Sequence, residues 1–235
     1  MTKQEVMDLL EKAGDAQTKK TLMKHGAQEP FFGVKVAELK KILKKTKKNH
    51  ELSLELYDTG NSDAMYLGGL MADEQKITKT QLNKWVKKAY WSYLSEYTVP
   101  WVASETEFGF DLGMEWIDSK KENIAAAGWA TLASYASVQP DEKIDVKAYK
   151  KLLKRAEKNI HAGQNREKYA MNGFVIAIGS YIKELNEEAK KTAEKIGKVE
   201  VFMNGTACKV PLATTYIDKV VARGSVGKKR KTARC

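Results

Sequence analysis

The chain has 235 residues, of which 43% are hydrophobic, and this composition predicts a globular protein with a sizeable core. There is no apolar run of about 18 residues and no apolar leader segment, so we expect neither a membrane span nor secretion and place the protein in the cytoplasm. Lysine and arginine outnumber aspartate and glutamate by 41 to 30, and the net charge of +11 favours a polyanionic partner over an acidic small molecule.

Amphipathic periodicity predicts helices along almost the whole chain. The predicted helices cover 3–12, 17–27, 35–47, 51–57, 62–72, 79–88, 91–103, 105–117, 122–138, 145–159, 164–180, 186–196 and 214–222. Helix-stopping residues separate them, for example Glu29-Pro30 and Gln139-Pro140. The short connections favour antiparallel neighbours, so we predict an all-α solenoid of stacked helix pairs, with a closed helical bundle as the alternative.

Segment 198–211 breaks the helical pattern. Apolar and polar residues alternate on both sides of Asn204-Gly205, a pair that suits the positive φ values of a two-residue type I′ turn. The pattern therefore predicts one β-hairpin near the C-terminus. Two roles are open for it: a cap over the last helix pair, with its valines as packing residues, or an element that contacts DNA.

Three basic clusters lie far apart in the sequence. Two occupy the polar faces of the amphipathic helices 35–47 and 145–159, and the third is the tail 225–235, which we predict to be mobile without DNA. One basic face is more often ordinary surface than a binding site, but several on one protein favour DNA or RNA. We predict a single domain over 1–224, followed by the basic tail, in a monomeric protein.

Cysteine and histidine usage argues against metal and redox chemistry. Cys208 and Cys235 form no disulfide framework, and we predict reduced thiols. His25, His50 and His161 are widely separated and show no ligand spacing, and no Gly-rich phosphate loop is present. We therefore expect no metal ion and no cofactor.

Four segments carry a resemblance to a known family: EPFFGVKVAELKKILKK, AYWSYLSEYTVPWV, ENIAAAGWATLASYA and REKYAMNGFVIAIGSYIKE. In this order they resemble segments of the AlkD-like bacterial DNA alkylation-repair proteins. The resemblance implies stacked HEAT-like helical pairs whose concave, basic surface holds duplex DNA. For active members it also implies excision of alkylated purines such as 3-methyladenine or 7-methylguanine. The groups involved are a catalytic Asp, an Arg on the DNA backbone and Trp side chains around the lesion.

The matching positions have largely lost these groups: they are Trp91 for a Trp, Ser95 for the Asp, Gly128 for the Arg and Phe174 for a second Trp. Serine cannot supply the negative charge that a developing sugar cation needs. Glu96 follows, but on an α-helix it lies about 100° round from Ser95, and we expect it to point elsewhere. We therefore predict a non-catalytic relative that binds duplex, branched or distorted DNA. The alternatives are a glycosylase for alkylated purines and a helical-repeat scaffold that binds proteins.

The candidate DNA-binding residues are cations of the basic clusters and of the predicted hairpin, Arg166 of the predicted helix 164–180, and two aromatic residues. Trp91 is included, and expected to be exposed, because of its match to the family. The full set is Lys40, Lys44, Lys47, Lys48, Trp91, Lys150, Lys154, Arg155, Arg166, Lys198, Phe202, Lys209, Lys228, Lys229, Arg230 and Lys231.

Overall fold

A computed structural model describes all 235 residues, and thirteen α-helices form most of the chain. They are α1 Lys3–Lys12, α2 Ala16–Lys24, α3 Val36–Thr46, α4 His50–Asp58, α5 Ser62–Met71, α6 Lys79–Lys88, α7 Val99–Ser104, α8 Gly109–Trp116, α9 Glu122–Val138, α10 Val146–Asn159, α11 Asn165–Tyr181, α12 Asn186–Ile196 and α13 Ala213–Ala222. A π-helical segment, Tyr93–Thr98, leads into α7, and 3₁₀ turns occur at Asp141–Lys143, Ile160–Ala162 and Lys183–Leu185. The all-α prediction is confirmed. None of the helices is both long and apolar enough to cross a membrane.

Local capping explains where several helices begin and end. Thr2 and Thr78 each accept a hydrogen bond from the backbone N–H three residues on, whose side chain reaches back to complete a capping box. The Asn61 side chain caps α5. The helix α9 ends at Val138, shortly before Pro140, because proline disfavours a helical conformation at the residue before it.

The helices stack as pairs in two rows. The first row consists of α5, the π segment with α7, α9, α11 and α13, and the second of α4, α6, α8, α10 and α12. Three apolar clusters follow one another along the stack, with Leu56 in the first, Trp85 in the second and Phe174 in the third. Each pair buries its apolar face against the next, which is the packing expected of a solenoid.

A buried carboxylate ties the N-terminal helices to the stack. Asp63, in the first turn of α5, accepts hydrogen bonds from the backbone N–H groups of Phe32, Gly33 and Val34 at 2.7 to 3.1 Å. Burial raises the pKa of this carboxyl, while the three backbone hydrogen bonds act to lower it. The segment before α3 is thus held against α5 by one side chain.

Segment 198–211 contains no β-strand, so the predicted hairpin is wrong. Its turn forms as predicted. Asn204 and Gly205 have φ values of 53° and 68°, and the Thr206 N–H donates to the Met203 carbonyl over 3.0 Å. The arms on either side of this turn do not pair with each other.

Both arms bond to α11 instead. The Asn165 side chain accepts from the Phe202 N–H over 2.7 Å and donates to the Phe202 carbonyl over 2.9 Å, and the Asn172 amide donates to the Pro211 carbonyl over 2.8 Å. The valines of both arms pack on the C-terminal core cluster, as the cap role requires. Two asparagine side chains therefore satisfy backbone groups that a hairpin would pair across its strands.

The Asn165→Ala variant should release this loop, because it removes both hydrogen bonds to Phe202 at once. We expect trypsin to cleave after Lys198 or Lys209 several-fold faster than in the wild type, because local opening precedes proteolysis. The matched control is Asn159→Ala, an exposed asparagine at the end of α10. Cleavage at the same rate in both variants would show that Asn165 does not hold the loop.

We call the C-terminal residues 227–235 the strap. They pack across the ends of the first-row helices, whereas the sequence predicted a mobile tail. The Lys229 ammonium donates to the carbonyls of Ala136 and Tyr181, in the last turns of α9 and α11, over 2.9 and 3.0 Å. The Arg230 N–H donates to another carbonyl at the end of α9. Carbonyls at helix ends lack hydrogen-bond donors within their own helix, and the strap supplies these donors.

Arg234 anchors the end of the strap. Its side chain is 8% exposed, pairs with Glu74 and Glu105 at 3.0 Å each, and donates to the Ala72 carbonyl at the end of α5. The Ala233 N–H also donates to Glu105, over 2.7 Å. The strap thus connects helix ends from α11 back to α5.

The Arg234→Met variant should be less stable than the wild type, because it leaves Glu105 without its ion pair in a largely buried site. We expect the free energy of unfolding to fall by about 1–3 kcal/mol, a value reduced for the partial exposure of Glu74. Urea denaturation measures the change. Lys231→Met is the control, and since this side chain is exposed its effect should stay within about 0.5 kcal/mol. Equal losses in both variants would contradict the anchoring role.

Candidate nucleic-acid interface

The exposed face of the first row carries two neighbouring cavities, and we call this face the groove. The larger cavity has a volume of about 410 Å³ and lies between the π segment, α11 and the loop 201–209. The smaller has a volume of about 270 Å³ and lies between the π segment and α7, α9, α11 and the strap. Tyr97 and Tyr169 line both cavities, so they stand at the boundary between the two.

Aromatic rings form the floor of the groove. Tyr93, Tyr97 and Trp101 lie four residues apart, with successive ring centroids separated by 5.9 and 5.7 Å. Trp91 packs on Tyr93 at 4.6 Å, and Tyr66 of α5 lies 6.0 Å from Tyr93. The aromatic floor was not predicted from the sequence. The regular spacing of aromatic residues within one predicted helix was the signal that could have found it.

An ion pair lies beside these rings, with Arg166 lining the larger cavity and Glu96 the smaller. The Arg166 guanidinium donates to both carboxylate oxygens of Glu96, over 2.6 and 2.5 Å. The Glu96 side chain is 4% exposed and that of Arg166 25%. Burial raises the pKa of the Glu96 carboxyl, and the hydrogen bonds from Arg166 oppose that rise. The guanidinium also lies 4.5 Å from the centroid of the Tyr169 ring, so its charge is already engaged on two sides.

The π-helical segment aims Glu96 at the groove. Pro100 has no N–H, so the Glu96 carbonyl lacks its usual α-helical donor, and the Val99 N–H bonds five residues back to the Leu94 carbonyl. The wider turn changes the direction of the side chains, and Glu96 lines the smaller cavity. Glu96 and Ser95 point in different directions, as expected, but Glu96 is the one that faces the groove, so the expectation that it lies away from the site is wrong.

Trp91 and Ser95 are both buried. The Trp91 side chain is 6% exposed, packs with Ala27 and Phe31, and donates from Nε1 to the His25 carbonyl over 2.8 Å. The expectation of an exposed Trp91 is therefore wrong, although this residue lines the larger cavity. Ser95 is 3% exposed, and neither cavity is lined by it.

The other two family-equivalent positions also lie in the core. A Cβ atom at Gly128 would come within 2.5 Å of the Ile117 backbone nitrogen, so no arginine fits there. Phe174 is fully buried among other aromatic rings. The neighbouring positions that do line the smaller cavity are small residues, Ala130 on α9 and Gly173 on α11. These matches therefore provide no catalytic group in the groove.

A few of the predicted DNA-binding residues lie at the groove. Lys209 lines the larger cavity and Arg230 the smaller, and both side chains are exposed. Arg166 lies at the base, paired as described above. Phe202, 69% exposed, and Lys198, which pairs with a neighbouring glutamate, lie on the loop but line neither groove cavity.

The cluster on α10 lies in the second row, away from both groove cavities. Lys150 pairs with Glu188 and Arg155 with Asp118, each at 2.7 Å. Lys154 shares a shallow surface pocket with glutamates of α10 and α12. Lys150 and Arg155 are thus paired with acids, and the contact of this helix with DNA stays a prediction.

The remaining candidates lie on α3 and the strap. Lys48 pairs with Glu74, which also holds the end of the strap. Lys229 is engaged by carbonyls at the helix ends. The other candidates of these two clusters have exposed side chains; they are Lys40, Lys44, Lys47, Lys228 and Lys231. Their contact with DNA likewise stays a prediction.

Comparison with known proteins identifies the family. Residues 6–197 match the DNA alkylation repair enzyme family. Uncharacterized proteins of Listeria innocua serovar 6a and Listeria monocytogenes serovar 1/2a are 34% and 35% identical over 208 residues, which is 86% of this chain and 89% of each relative.

A solved structure matches along the whole length, with a TM-score of 0.92, 35% identity and 100% of both chains covered. It is described as representing a new family of proteins related to the HEAT-like repeat DNA glycosylases with affinity for branched DNA structures. This match confirms the predicted HEAT-like fold. The chain belongs to the DNA alkylation repair enzyme family.

Proposed function

We propose that the chain binds branched DNA along the groove and does not excise alkylated bases. The groove is the observation that carries this proposal, because its aromatic floor lies between two exposed cations, Lys209 and Arg230. Aromatic rings stack on bases and cations bind phosphates. The groove therefore supplies contacts for both parts of a nucleotide.

The full-length structural match supports branched DNA as the preferred form. The protein with that structure is described as related to glycosylases and as having affinity for branched DNA, and its fold extends over all of this chain. A branch point brings several phosphate backbones together and leaves base faces partly unstacked. A groove that offers both cations and aromatic rings suits that geometry better than it suits a uniform duplex, whose bases are fully stacked.

The charge at the base of the groove argues against glycosylase activity. Glu96 is the only acid that lines either groove cavity, and both of its oxygens accept hydrogen bonds from Arg166. A carboxylate already neutralised by a guanidinium stabilises a developing sugar cation poorly. The neutral Ser95, at the position of the family's Asp, lies buried beside it.

Cations of the groove should matter more for DNA binding than those of α10. We expect the double variant Lys209→Ala, Arg230→Ala to bind a four-way junction more weakly. The slope of log affinity against log salt should fall by about one for each lost phosphate contact. Fluorescence anisotropy of a labelled junction at several salt concentrations measures both quantities.

The comparison variant Lys150→Ala, Lys154→Ala removes the same charge from the second row and should lose much less affinity than the groove variant. A loss in the comparison variant as large as in the groove variant would place the interface elsewhere. If the wild type bound neither four-way junctions nor linear duplex, the DNA-binding proposal would be wrong and the protein-scaffold alternative would be favoured.

Alkylated DNA provides the test of catalysis. We expect no release of 7-methylguanine or 3-methyladenine above the rate without protein, because Glu96 is held by Arg166. Mass spectrometry of the released bases gives the rate. A clear rate that Glu96→Gln abolishes, while the exposed control Glu107→Gln retains it, would establish the glycosylase alternative.

A further inference from the structure

The larger groove cavity has the size and the walls of a ligand site. Its volume of about 410 Å³ falls within the range of about 300–1,000 Å³ typical of small-molecule pockets. Its walls come from the π segment, α11, the loop 201–209 and the end of α2, where Leu22 and His25 line it. We propose that this cavity binds a single unpaired nucleobase at a branch point, an inference that rests on the proposed DNA binding.

Flat aromatic side chains dominate the walls. Tyr93, Tyr97 and Tyr169 line the cavity, and Tyr93 exposes 38% of its surface, while the buried Trp91 supports Tyr93 from behind at 4.6 Å. Every nucleobase has a π face, so stacking on such rings tolerates any base. The cavity is therefore suited to a planar ring without selecting one base strongly.

The charge distribution favours a base inside and a phosphate outside. Arg166 is the only cation deep in the cavity, and its charge is balanced by Glu96 over 2.5 and 2.6 Å. The free cation is Lys209, on the exposed loop at the rim. A phosphate drawn inside would meet a neutral ion pair and aromatic rings, whereas at the rim it would meet a free ammonium.

The loop contributes the polar group that a base edge requires. Asn204, at the turn, lines the cavity, and its amide carries both a donor and an acceptor. Asn165 holds this loop through the backbone of Phe202, so the position of the turn is set by α11. The tip of the loop thus lines the groove, whereas the arms on either side of it cap the C-terminal core cluster.

An unpaired nucleotide can enter this site at a lower free-energy cost than a paired one. Extruding a paired base from a duplex requires a few kcal/mol of unstacking and unpairing, and an already single-stranded base requires the least. A branch point with one unpaired nucleotide supplies such a base next to several phosphate backbones. The protein should therefore bind a junction with one unpaired nucleotide more tightly than the same junction without it.

Two three-way junctions with identical arms test the proposal, one fully paired and one with a single unpaired nucleotide at the branch. We expect the wild type to bind the second on the order of tenfold more tightly. Cys208→Phe fills the cavity from the exposed loop and should abolish the difference while binding the paired junction as before. Ala207→Phe adds the same ring to a residue that does not line the cavity, and should retain the difference.

Placing 2-aminopurine at the unpaired position locates the base directly. Enclosure in the cavity should lower its quenching by acrylamide severalfold in the wild type and in Ala207→Phe, but not in Cys208→Phe. If the wild type binds both junctions equally, or if acrylamide quenches the bound base as readily as the free one, the cavity is not a base site, although DNA binding stands. Failure to bind either junction would instead refute the proposed function itself.

Discussion

The Glu96–Arg166 ion pair is the contact on which the groove depends. It joins the π segment to the first turn of α11 across 70 residues of sequence. The backbone N–H of Arg166 also donates to Glu122 at the start of α9, and its guanidinium reaches the sulfur of Met203 on the loop. Three first-row elements and the loop therefore meet at one side chain. A buried pair contributes little net stability, but the loss of either partner would strand a charge, so the pair strongly favours one arrangement.

The same pair decides which chemical groups the groove leaves accessible. Arg166 occupies both oxygens of the Glu96 carboxylate, and Glu96 in turn balances the charge of Arg166. The aromatic rings are therefore the main groups of the floor that a ligand can contact. Free cations remain only at the edges, where Lys209 and Arg230 stand. Stacking in the centre with phosphate contacts at the margins is a combination that suits DNA whose bases are partly exposed.

Both ends of the groove are closed by irregular chain held through side chains. The loop is fastened by Asn165 and Asn172, and the strap by Lys229 and Arg234, which bond to carbonyls or carboxylates at helix ends. In each case polar side chains form hydrogen bonds with backbone or charged groups that have no partner within a helix. The strap therefore uses two of its basic residues, Lys229 and Arg234, for packing, and its other cations are exposed.

The thirteen helices and the Asn204-Gly205 turn were predictable from the sequence, because periodicity and turn conformation are decided by neighbouring residues. The family was predictable for a similar reason, since its signatures are short local segments. Tertiary structure decided the rest. The arms around Asn204 bond to α11 because two asparagines lie opposite them, and no local pattern reveals that. The direction of Glu96 depends on a π turn, and the role of each lysine depends on whether an acid from another helix faces it. Local sequence thus determined the elements of this protein, whereas contacts between distant residues determined which of its charges and rings form the groove.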